Sequence, residues 1–243
     1  MYKNMSVAAV IPALNEERAI GKVVSDLLSL HNEDRSPVVD DVVVCDNGSS
    51  DTTAIRAREA GARVVHEQQP GYGNACLAGI GALQGPDVII FIDGDHAFEA
   101  TQAVRLLDRI AGGADLVIGS RTLGRPVRGA LAPGQALGNS IICALIRLLW
   151  REEVTDLGPY RAIRAGALAR LTMADTRFGW TVEMQVKAIQ QGMKTVEVPV
   201  DTKVRIGQSK ISGTLSGAVG ACTGILCMIA KLRWQQYRQY RYR

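Results

Sequence analysis

Short apolar runs alternate with amphipathic stretches along the first half of the chain. The runs have the length of β-strands, whereas the stretches between them repeat apolar residues at the spacing of a helix. The predicted strands cover 7–11, 42–45, 63–66, 88–92 and 116–118, and the predicted helices cover 15–30, 75–83 and 100–111, with one more ending near residue 60. Such alternation is typical of an α/β fold with a mainly parallel, doubly wound sheet and helices on both faces.

The pattern is less regular beyond residue 119. A loop rich in Gly, Pro and Arg covers 119–134, and the predicted elements after it are a helix at 135–150, an extended stretch at 155–163, a helix at 181–191 and a strand at 195–200. We expect one α/β domain over residues 1–210, a length that suits a single large domain. Residues 211–243 are expected to add an apolar helix and a basic, aromatic tail rather than an independent domain.

The C-terminal segment leaves two interpretations open. Residues 211–230 carry no charge, and this length could span a bilayer, but the segment contains four glycines and several Ser and Thr, and glycines at a spacing of four also suit close helix packing. Residues 231–243 then combine five cations with Trp and Tyr, a mixture favoured at membrane surfaces. The segment is therefore either an interfacial helix with a basic, aromatic anchor, or a helix packed on the domain with a disordered tail.

The charge and the cysteine content limit the kinds of binding partner and the cellular compartment that we expect. The net charge is +4, but residues 1–230 hold 23 basic and 24 acidic residues, so the body of the chain is not built to bind nucleic acid. The five cysteines match no zinc-site spacing, which indicates free, buried thiols in a reducing compartment. The N-terminus shows no signal-peptide pattern. We expect a cytoplasmic protein, peripheral at the cytoplasmic membrane face if its tail binds lipid.

Polar residues gather directly after the predicted strands. They occupy 12–17, 46–49, 68–75, 93–95 and 119–121. Ligands of open α/β sheets bind in the crevice beyond the carboxyl ends of the strands, so these five segments should meet at one site. Neither a G-x-G-x-x-G sequence after the first strand nor a P-loop sequence occurs, which argues against a dinucleotide cofactor and against a P-loop nucleotide site.

Asp93 and Asp95 follow the fourth predicted strand and flank Gly94. Two carboxylates at the mouth of a strand suit Mg²⁺ or Mn²⁺, which are often held by one or two carboxylates plus substrate phosphates. The alternative is a capped loop in which the carboxylates only accept backbone hydrogen bonds. The position after a central strand favours the metal, with Asp95 and Asp93 as its ligands.

Several motifs, in their order along the chain, resemble those of the family-2 glycosyltransferases of the GT-A fold. The shared segments are VIPALNEE (10–17), VVCDNGSSDTT (43–53) and FIDGDH (91–96). Within that family, the likeness is greatest to the dolichol- or polyprenol-phosphate hexosyltransferases. It rests on VIGSR (117–121), TDLGPYRAIR (155–164), FGWTVEMQ (178–185) and RIGQSKISGT (205–214).

The resemblance implies a role for each matching position. The nucleoside would contact the backbone near Ala13 and Leu14, together with Glu16, and the base would bond Asp46. Asp93 would face the sugar or ribose, and Asp95 would bind the metal that bridges the diphosphate. Further nucleotide-sugar contacts are expected at Pro12, Gly48, Gly73 and Gly94. The cations expected to meet phosphate groups are Arg121, Arg205 and Lys210; Arg125, Arg128, Arg161, Arg164 and Lys203 are left open.

Three positions remain ambiguous. Asn47 stands where the family often has a second Asp, which removes one charge near the nucleoside. His96 follows the D-x-D pair and is either a second metal ligand or a loop histidine with a structural hydrogen bond. Glu183 either orients a ligand, acts as the base for a hydroxyl acceptor, or forms a structural salt bridge.

The implied reaction is metal-dependent transfer of a hexose from a UDP- or GDP-linked sugar to polyprenyl or dolichyl phosphate, with inversion. A phosphate monoester is largely dianionic at neutral pH, so such an acceptor needs cations to steer it rather than a general base. Two alternatives stay open: a glycosyltransferase with a soluble small-molecule acceptor, and a non-catalytic protein that binds nucleotide sugars.

Overall fold

The computed structural model describes residues 1–125, 127, 129, 133–207 and 215–241. Within these residues the chain forms seven strands and eight α-helices. The strands are β1 (Val7–Ala13), β2 (Asp41–Asp46), β3 (Arg63–His66), β4 (Val88–Phe91), β5 (Leu116–Ser120), β6 (Arg161–Arg164) and β7 (Thr195–Pro199). The helices are α1 (Ile20–Leu28), α2 (Thr53–Glu59), α3 (Tyr72–Gly81), α4 (Ala103–Ala111, preceded by a 3₁₀ turn at Ala100–Gln102), α5 (Pro133–Trp150), α6 (Ala165–Leu171), α7 (Trp180–Gln190) and α8 (Leu215–Arg241).

All seven strands belong to one sheet in the order β3-β2-β1-β4-β6-β5-β7. β1 pairs in parallel with β2 and β4, β2 with β3, and β5 with β7. The mainly parallel α/β sheet that the sequence predicts is therefore confirmed. β6 is the exception, since it runs antiparallel to both β4 and β5. The helix before it, α5, packs on α7 and α8, so it does not return the chain across the sheet as a parallel crossover helix would.

The sheet separates two apolar clusters. Successive side chains of a strand point to opposite faces, and the strand β1 is buried along its whole length. Ile11 on one face joins the cluster with α1, α2 and α4, while Val10 on the other face packs with residues of α3, α6 and α7. A third cluster lies between α5, α7 and α8 and contains Ile146, Val186 and Ile229. Helices thus cover both faces, as the alternation of elements predicts.

Helix α1 begins at Ile20 and not at residue 15, where the pattern predicts its start. The residues before it are engaged with the segment after β2 instead. The Asn15 amide donates to Ser49 Oγ at 2.9 Å, Asn15 Oδ1 accepts the Ser50 amide at 2.8 Å, and Asn15 has a φ of 52°. These contacts, which join segments about 35 positions apart, fix the loop after β1 in a non-helical conformation that local periodicity does not encode.

The C-terminal helix α8 continues through the basic residues to Arg241, so the described part of the expected tail is helical. Its inner face is buried through Met228, Ile229 and Leu232, in the cluster shared with α5 and α7. None of the described helices is both long and apolar enough to cross a bilayer. Of the five cysteines, three are buried as expected, whereas Cys222 and Cys227, both on α8, are exposed.

Candidate active site

A cavity of about 910 Å³ opens beyond the carboxyl ends of the strands. One part of its wall comes from the loops after the strands and is called here the polar half. It comprises Glu16, Asn47, Asp93, Asp95, Arg121 and Arg205. The other part, the apolar half, is formed mostly by α5, α8 and the segments that precede β6 and α7. Its apolar residues are Ile142, Leu157, Phe178, Ala221 and Ile225, and the polar Gln135 and Asn139 of α5 lie among them.

Asp93, which is half-buried, and Asp95, which is buried, form a carboxylate pair in the polar half. Asp95 is only 5% exposed, and its Oδ2 lies 3.1 Å from Nη2 of Arg205. Asp93 Oδ1 accepts a hydrogen bond from the Tyr72 hydroxyl at 3.2 Å. Burial, and then the charge of Asp95, raise the pKa of Asp93 to about 7. A carboxylate pair that resists full ionisation in this way is stabilised by a cation.

Gly94, between the two carboxylates, is closely packed against the sheet. A Cβ at Gly94 would lie 3.3 Å from Cδ1 of Ile20 and 3.5 Å from Cγ2 of Ile11. Even a methyl group there would press on the Ile20 side chain, which would have to shift by a few tenths of an ångström. The Gly94 position therefore brings the acidic loop close to the sheet, with Asp93 and Asp95 directed to the cavity wall.

The two carboxylates suit a divalent cation whose coordination shell is completed by oxygen atoms of a bound ligand. Among the described residues no group of three or more His, Cys, Asp or Glu side chains converges as a closed metal site would require. Two carboxylates with an open cavity beside them match the way Mg²⁺ and Mn²⁺ are held with phosphate groups. Asp95 and Asp93 are the residues of this chain that would bind such an ion.

Arg121 is fixed by a carboxylate that the sequence analysis did not single out. Asp156 is fully buried and accepts bonds from Nε of Arg121 at 2.8 Å, Nη2 at 2.6 Å and the backbone amide at 2.7 Å. This two-pronged pairing restricts the guanidinium to one orientation in the cavity wall. Asp156 lies in TDLGPYRAIR, one of the segments that carry the family resemblance, but no local signal there indicates its pairing with Arg121.

The other cations that the sequence left open have structural partners. Arg161 is buried and donates to the carbonyl oxygens of Gly158 and Thr181, both at 2.7 Å, and burial lowers its pKa to about 10. Arg164 donates to backbone carbonyls at the end of α4, and Lys203 pairs with a glutamate at 3.0 Å. None of these three lines the described cavity wall. Arg125 does not line it either, and Arg128 lies outside the described residues.

Asn47 uses its whole side-chain amide to organise the loop before α3. Its Nδ2 donates to the carbonyl oxygens of Glu67 at 3.0 Å and Gln69 at 2.8 Å, and its Oδ1 accepts the Gly71 amide at 2.8 Å. A carboxylate at this position could not donate either of the first two bonds. The departure from a second Asp therefore has a structural cause.

Most of the expected nucleotide-sugar residues share the cavity wall. Those that do are Pro12, Ala13, Leu14, Glu16, Asp93, Gly94, Asp95, Arg121 and Arg205. Asp46, Gly48 and Gly73 do not line the wall: Asp46 is buried, accepts the Ser49 amide at 3.1 Å and lies 3.1 Å from Nδ1 of His66. Lys210 lies outside the described residues. The ligand roles of all these residues stay predictions.

His96 and Glu183, the two ambiguous residues, have structural contacts. His96 Nε2 lies 2.7 Å from a carboxylate oxygen of Asp26 on α1. Glu183 is 2% exposed, pairs with Lys187 at 2.8 Å and accepts the backbone amides of Ala174 and Asp175. Neither residue lines the described cavity wall. The geometry matches the structural alternative for both.

Residues 8–171 match the family model described as glycosyl transferase family 2. The chain belongs to this family. An uncharacterized glycosyltransferase of Mycobacterium tuberculosis is 36% identical over 216 residues, which cover 88% of this chain and 93% of the relative. The dolichyl-phosphate hexose transferase of Haloferax volcanii is 31% identical over 235 residues, 96% of this chain and 98% of the relative. The expectation of a family-2 glycosyltransferase is thereby confirmed, and the chain is an enzyme of this class.

Solved structures support the same fold. Glucosyl-3-phosphoglycerate synthase from Mycobacterium tuberculosis, crystallised with Mn²⁺, UDP-glucose and phosphoglyceric acid, superimposes with a TM-score of 0.78 at 22% identity. The match covers 95% of this chain and 80% of that structure. At this level of identity the likeness concerns the fold alone, and it confirms the expected GT-A architecture of this family-2 glycosyltransferase.

Proposed function

We propose that this glycosyltransferase moves a hexose from a UDP- or GDP-linked sugar to a polyprenyl phosphate, with a bound Mg²⁺ or Mn²⁺. One observation carries the choice of acceptor: the carboxylate pair opens into a cavity whose other half is mostly apolar. Apolar walls favour an apolar ligand, since burying its surface releases ordered water. The Haloferax relative named as a dolichyl-phosphate hexose transferase supports the same choice.

The polar half would bind the donor. Asp95 and Asp93 would hold the metal ion, which when bound neutralises charge on the departing nucleoside diphosphate. The charges of Arg205 and Arg121 both act on Asp93, so two guanidinium groups already lie near the place where that charge develops. Fixed cations stabilise such charge without reorganising during the reaction. Tyr72, through its bond to Asp93, would keep the carboxylate oriented towards the cavity.

The acceptor would arrive already ionised. The carboxylates of the described cavity wall are Glu16, Asp93 and Asp95, all in the polar half, and Glu183 is occupied by Lys187 and two backbone amides. A phosphate monoester with a second pKa near ~6 needs no base to become a nucleophile at neutral pH. Its attack on the face of the sugar opposite the diphosphate would invert the anomeric carbon, as in the family that the chain resembles.

The outer surface of α5 and α8 would meet a membrane. Its exposed large apolar side chains are Leu137, Ile141, Leu148, Leu226, Trp234 and Tyr237. Neither 133–151 nor 215–241 contains an acidic residue, whereas both contain arginines. Apolar and aromatic side chains flanked by cations favour the surface of anionic lipids. The same two helices wall the apolar half of the cavity, so a lipid-linked phosphate would have a short path to it.

A transfer assay tests the proposal. Purified enzyme would receive Mn²⁺ or Mg²⁺, a panel of UDP- and GDP-sugars and a short-chain polyprenyl phosphate, with Asp95→Ala as the inactive control. We expect a glycolipid that depends on the metal and is absent with the variant. A second candidate is a soluble phosphorylated acceptor, which the fold of the phosphoglycerate-bound structure favours. Transfer to 3-phosphoglycerate but not to the polyprenyl phosphate would replace the first proposal by the second.

A further inference from the structure

We propose that Arg177 binds the phosphate monoester of the acceptor at the boundary between the two halves of the cavity. The inference rests on the proposed function only in that the acceptor carries such a phosphate. Arg177 precedes Phe178 of the apolar half and lines the same cavity as Asp93 and Arg121. The sequence motifs did not indicate it.

Charge balance distinguishes Arg177 from the other cations of the described wall. Those cations are Arg121, Arg177 and Arg205. Arg121 is paired with the buried Asp156, and Arg205 lies 3.1 Å from Asp95. Among the residues that the structure describes, no carboxylate lies within 4.0 Å of the Arg177 guanidinium. Its charge is therefore available to an anion without breaking an existing ion pair.

The backbone that carries Arg177 is held in place from two sides. The Arg177 carbonyl accepts the Gly73 amide at 3.2 Å, and the Arg177 amide donates to Asp175 Oδ1 at 2.8 Å. On the other side, Glu183 accepts the amides of Ala174 and Asp175. The backbone at Arg177 is thus fixed before a ligand binds, so binding would have to order only the side chain.

The loop after β3 and the segment before α7 approach each other so closely that no side chain fits between them. A Cβ at Gly73 would lie 2.0 Å from the carbonyl oxygen of Asp175, and one at Gly71 would lie 2.1 Å from that of Thr176. The loop that follows β3, part of which lines the polar half, thus touches the segment of Arg177 directly. Arg177 is positioned relative to the donor side of the cavity, which is the requirement for steering an attacking phosphate towards the sugar.

The surroundings of Arg177 change from polar to apolar over one residue. Phe178 lies beside α8, where a Cβ at Gly224 would be 3.9 Å from the Phe178 Cβ, and Ile225 of the same helix lines the apolar half. If the phosphate of an acceptor binds at Arg177, the group esterified to it would therefore extend along the apolar half of the cavity. A small phosphate such as 3-phosphoglycerate offers the same anionic group, so the experiment must separate the two sources.

Direct binding tests the inference without requiring turnover. The enzyme would be saturated with Mn²⁺ and UDP or GDP, and the dissociation constants of a short-chain polyprenyl phosphate, the matching polyprenol and 3-phosphoglycerate would be measured by calorimetry. The variants are Arg177→Gln and Arg177→Lys. The control is Arg170→Gln, an exposed arginine that lies 3.7 Å from Asp115 and outside the cavity wall. Melting temperatures within about one degree of the wild type show that each variant is folded.

We expect Arg177→Gln to weaken binding of the polyprenyl phosphate about ten-fold or more, the usual loss for a hydrogen bond to a charged group. Binding of UDP or GDP and of the polyprenol should change less than about two-fold, Arg177→Lys should recover part of the loss, and Arg170→Gln should bind like the wild type. If the wild type binds only 3-phosphoglycerate and Arg177→Gln weakens it, the lipid acceptor fails and the role of Arg177 stands. Equal binding of both phosphates by wild type and Arg177→Gln, or no binding of either by the wild type, overturns it.

Discussion

The two halves of the cavity are built in different ways. In the polar half the ligand-facing groups already have partners within the chain: Asp95 has Arg205, Arg121 has Asp156, and Asn47 has three backbone groups. In the apolar half, α5 and α8 contribute mainly small and apolar residues that line open space, together with Gln135 and Asn139. One half is organised by directional polar contacts, and the other by the packing of helices on a third cluster.

Because of this difference, the two halves should respond differently to amino-acid substitutions. A polar network in a buried setting is sensitive to the loss of any member, because the remaining partner keeps its desolvation cost. Apolar surface contributes in rough proportion to its area, so the loss of one side chain there is felt weakly. The largest effects of substitution are therefore expected in the polar half, and the smallest on the outer surface of α5 and α8.

The strongest expected effect is that of Asp95→Ala. Asp95 contacts Arg205 and is a proposed metal ligand, so its removal should lower kcat by about 10³-fold or more, comparable to the loss of a main source of transition-state stabilisation. Steady-state transfer rates with saturating donor measure it. Glu59→Gln, which breaks an exposed pair with Arg56, is the matched control and should keep full activity. Retention of more than a tenth of the rate by Asp95→Ala would contradict the proposed metal site.

Asp156→Asn should have the next largest effect. It leaves the Arg121 guanidinium without its buried counter-charge, which costs roughly 3 kcal/mol when one partner of a buried pair is removed. We also expect kcat to fall about 10²-fold, because Arg121 would no longer be fixed near the diphosphate. Denaturant titration and the transfer assay measure the two effects. A variant as stable as the wild type would show that the pair does not hold the loop after β5.

The polar half was also the more accessible to sequence reasoning. Each of its loops follows an apolar strand, and strand ends of a parallel sheet meet at one edge, so Asp93, Asp95 and Arg121 could be assigned to one site from local pattern alone. What local pattern does not contain is the pairing of Arg121 with Asp156, 35 positions away, or the bond from Tyr72 to Asp93. Those contacts depend on register and on how the loops cross.

The apolar half and the helix α8 were less accessible to sequence reasoning. The order of strands around β6, its antiparallel direction and the docking of α5 on α7 and α8 all depend on contacts between distant segments. Periodicity predicted α5 as a helix within two residues of its start, but a helix pattern does not say which neighbour it packs on. Arg177 was missed for the same reason, since it becomes a cavity residue only through the contact of its loop with Gly71 and Gly73.

Asn47→Asp provides a sharper comparison, because it replaces a single heavy atom, the amide nitrogen, and restores the residue that the family often has. The carboxylate would face the carbonyl oxygens of Glu67 and Gln69 without a proton to donate, which should cost about 1–3 kcal/mol. We expect the KM for the nucleotide sugar to rise about ten-fold while kcat changes less, since the loop lines the cavity but does not hold the metal. Asn4→Asp at the exposed N-terminus is the control. An unchanged KM would mean that the loop after β3 does not shape the donor site.

The double substitution Trp234→Ala and Tyr237→Ala tests the outer surface, where the smallest effect on catalysis is expected. Both side chains are exposed, at 58% and 61%, and they lie outside the wall of the large cavity. Truncation before residue 231 would be a poorer test, because it removes the buried Leu232 and the bond from Trp150 to Gln236 that hold α8 against α5. The substitutions leave those contacts in place.

We expect the double variant to float with anionic liposomes several-fold less than the wild type, since two interfacial aromatic side chains are lost. Its rate on a short-chain, water-dispersed acceptor should stay within about two-fold, because neither residue contacts the cavity. Ile55→Ala, an equally exposed apolar position on α2, is the matched control and should float like the wild type. If the double variant floats as well as the wild type, the outer surface of α5 and α8 is not the membrane contact, and the acceptor would have to reach the apolar half of the cavity from solution.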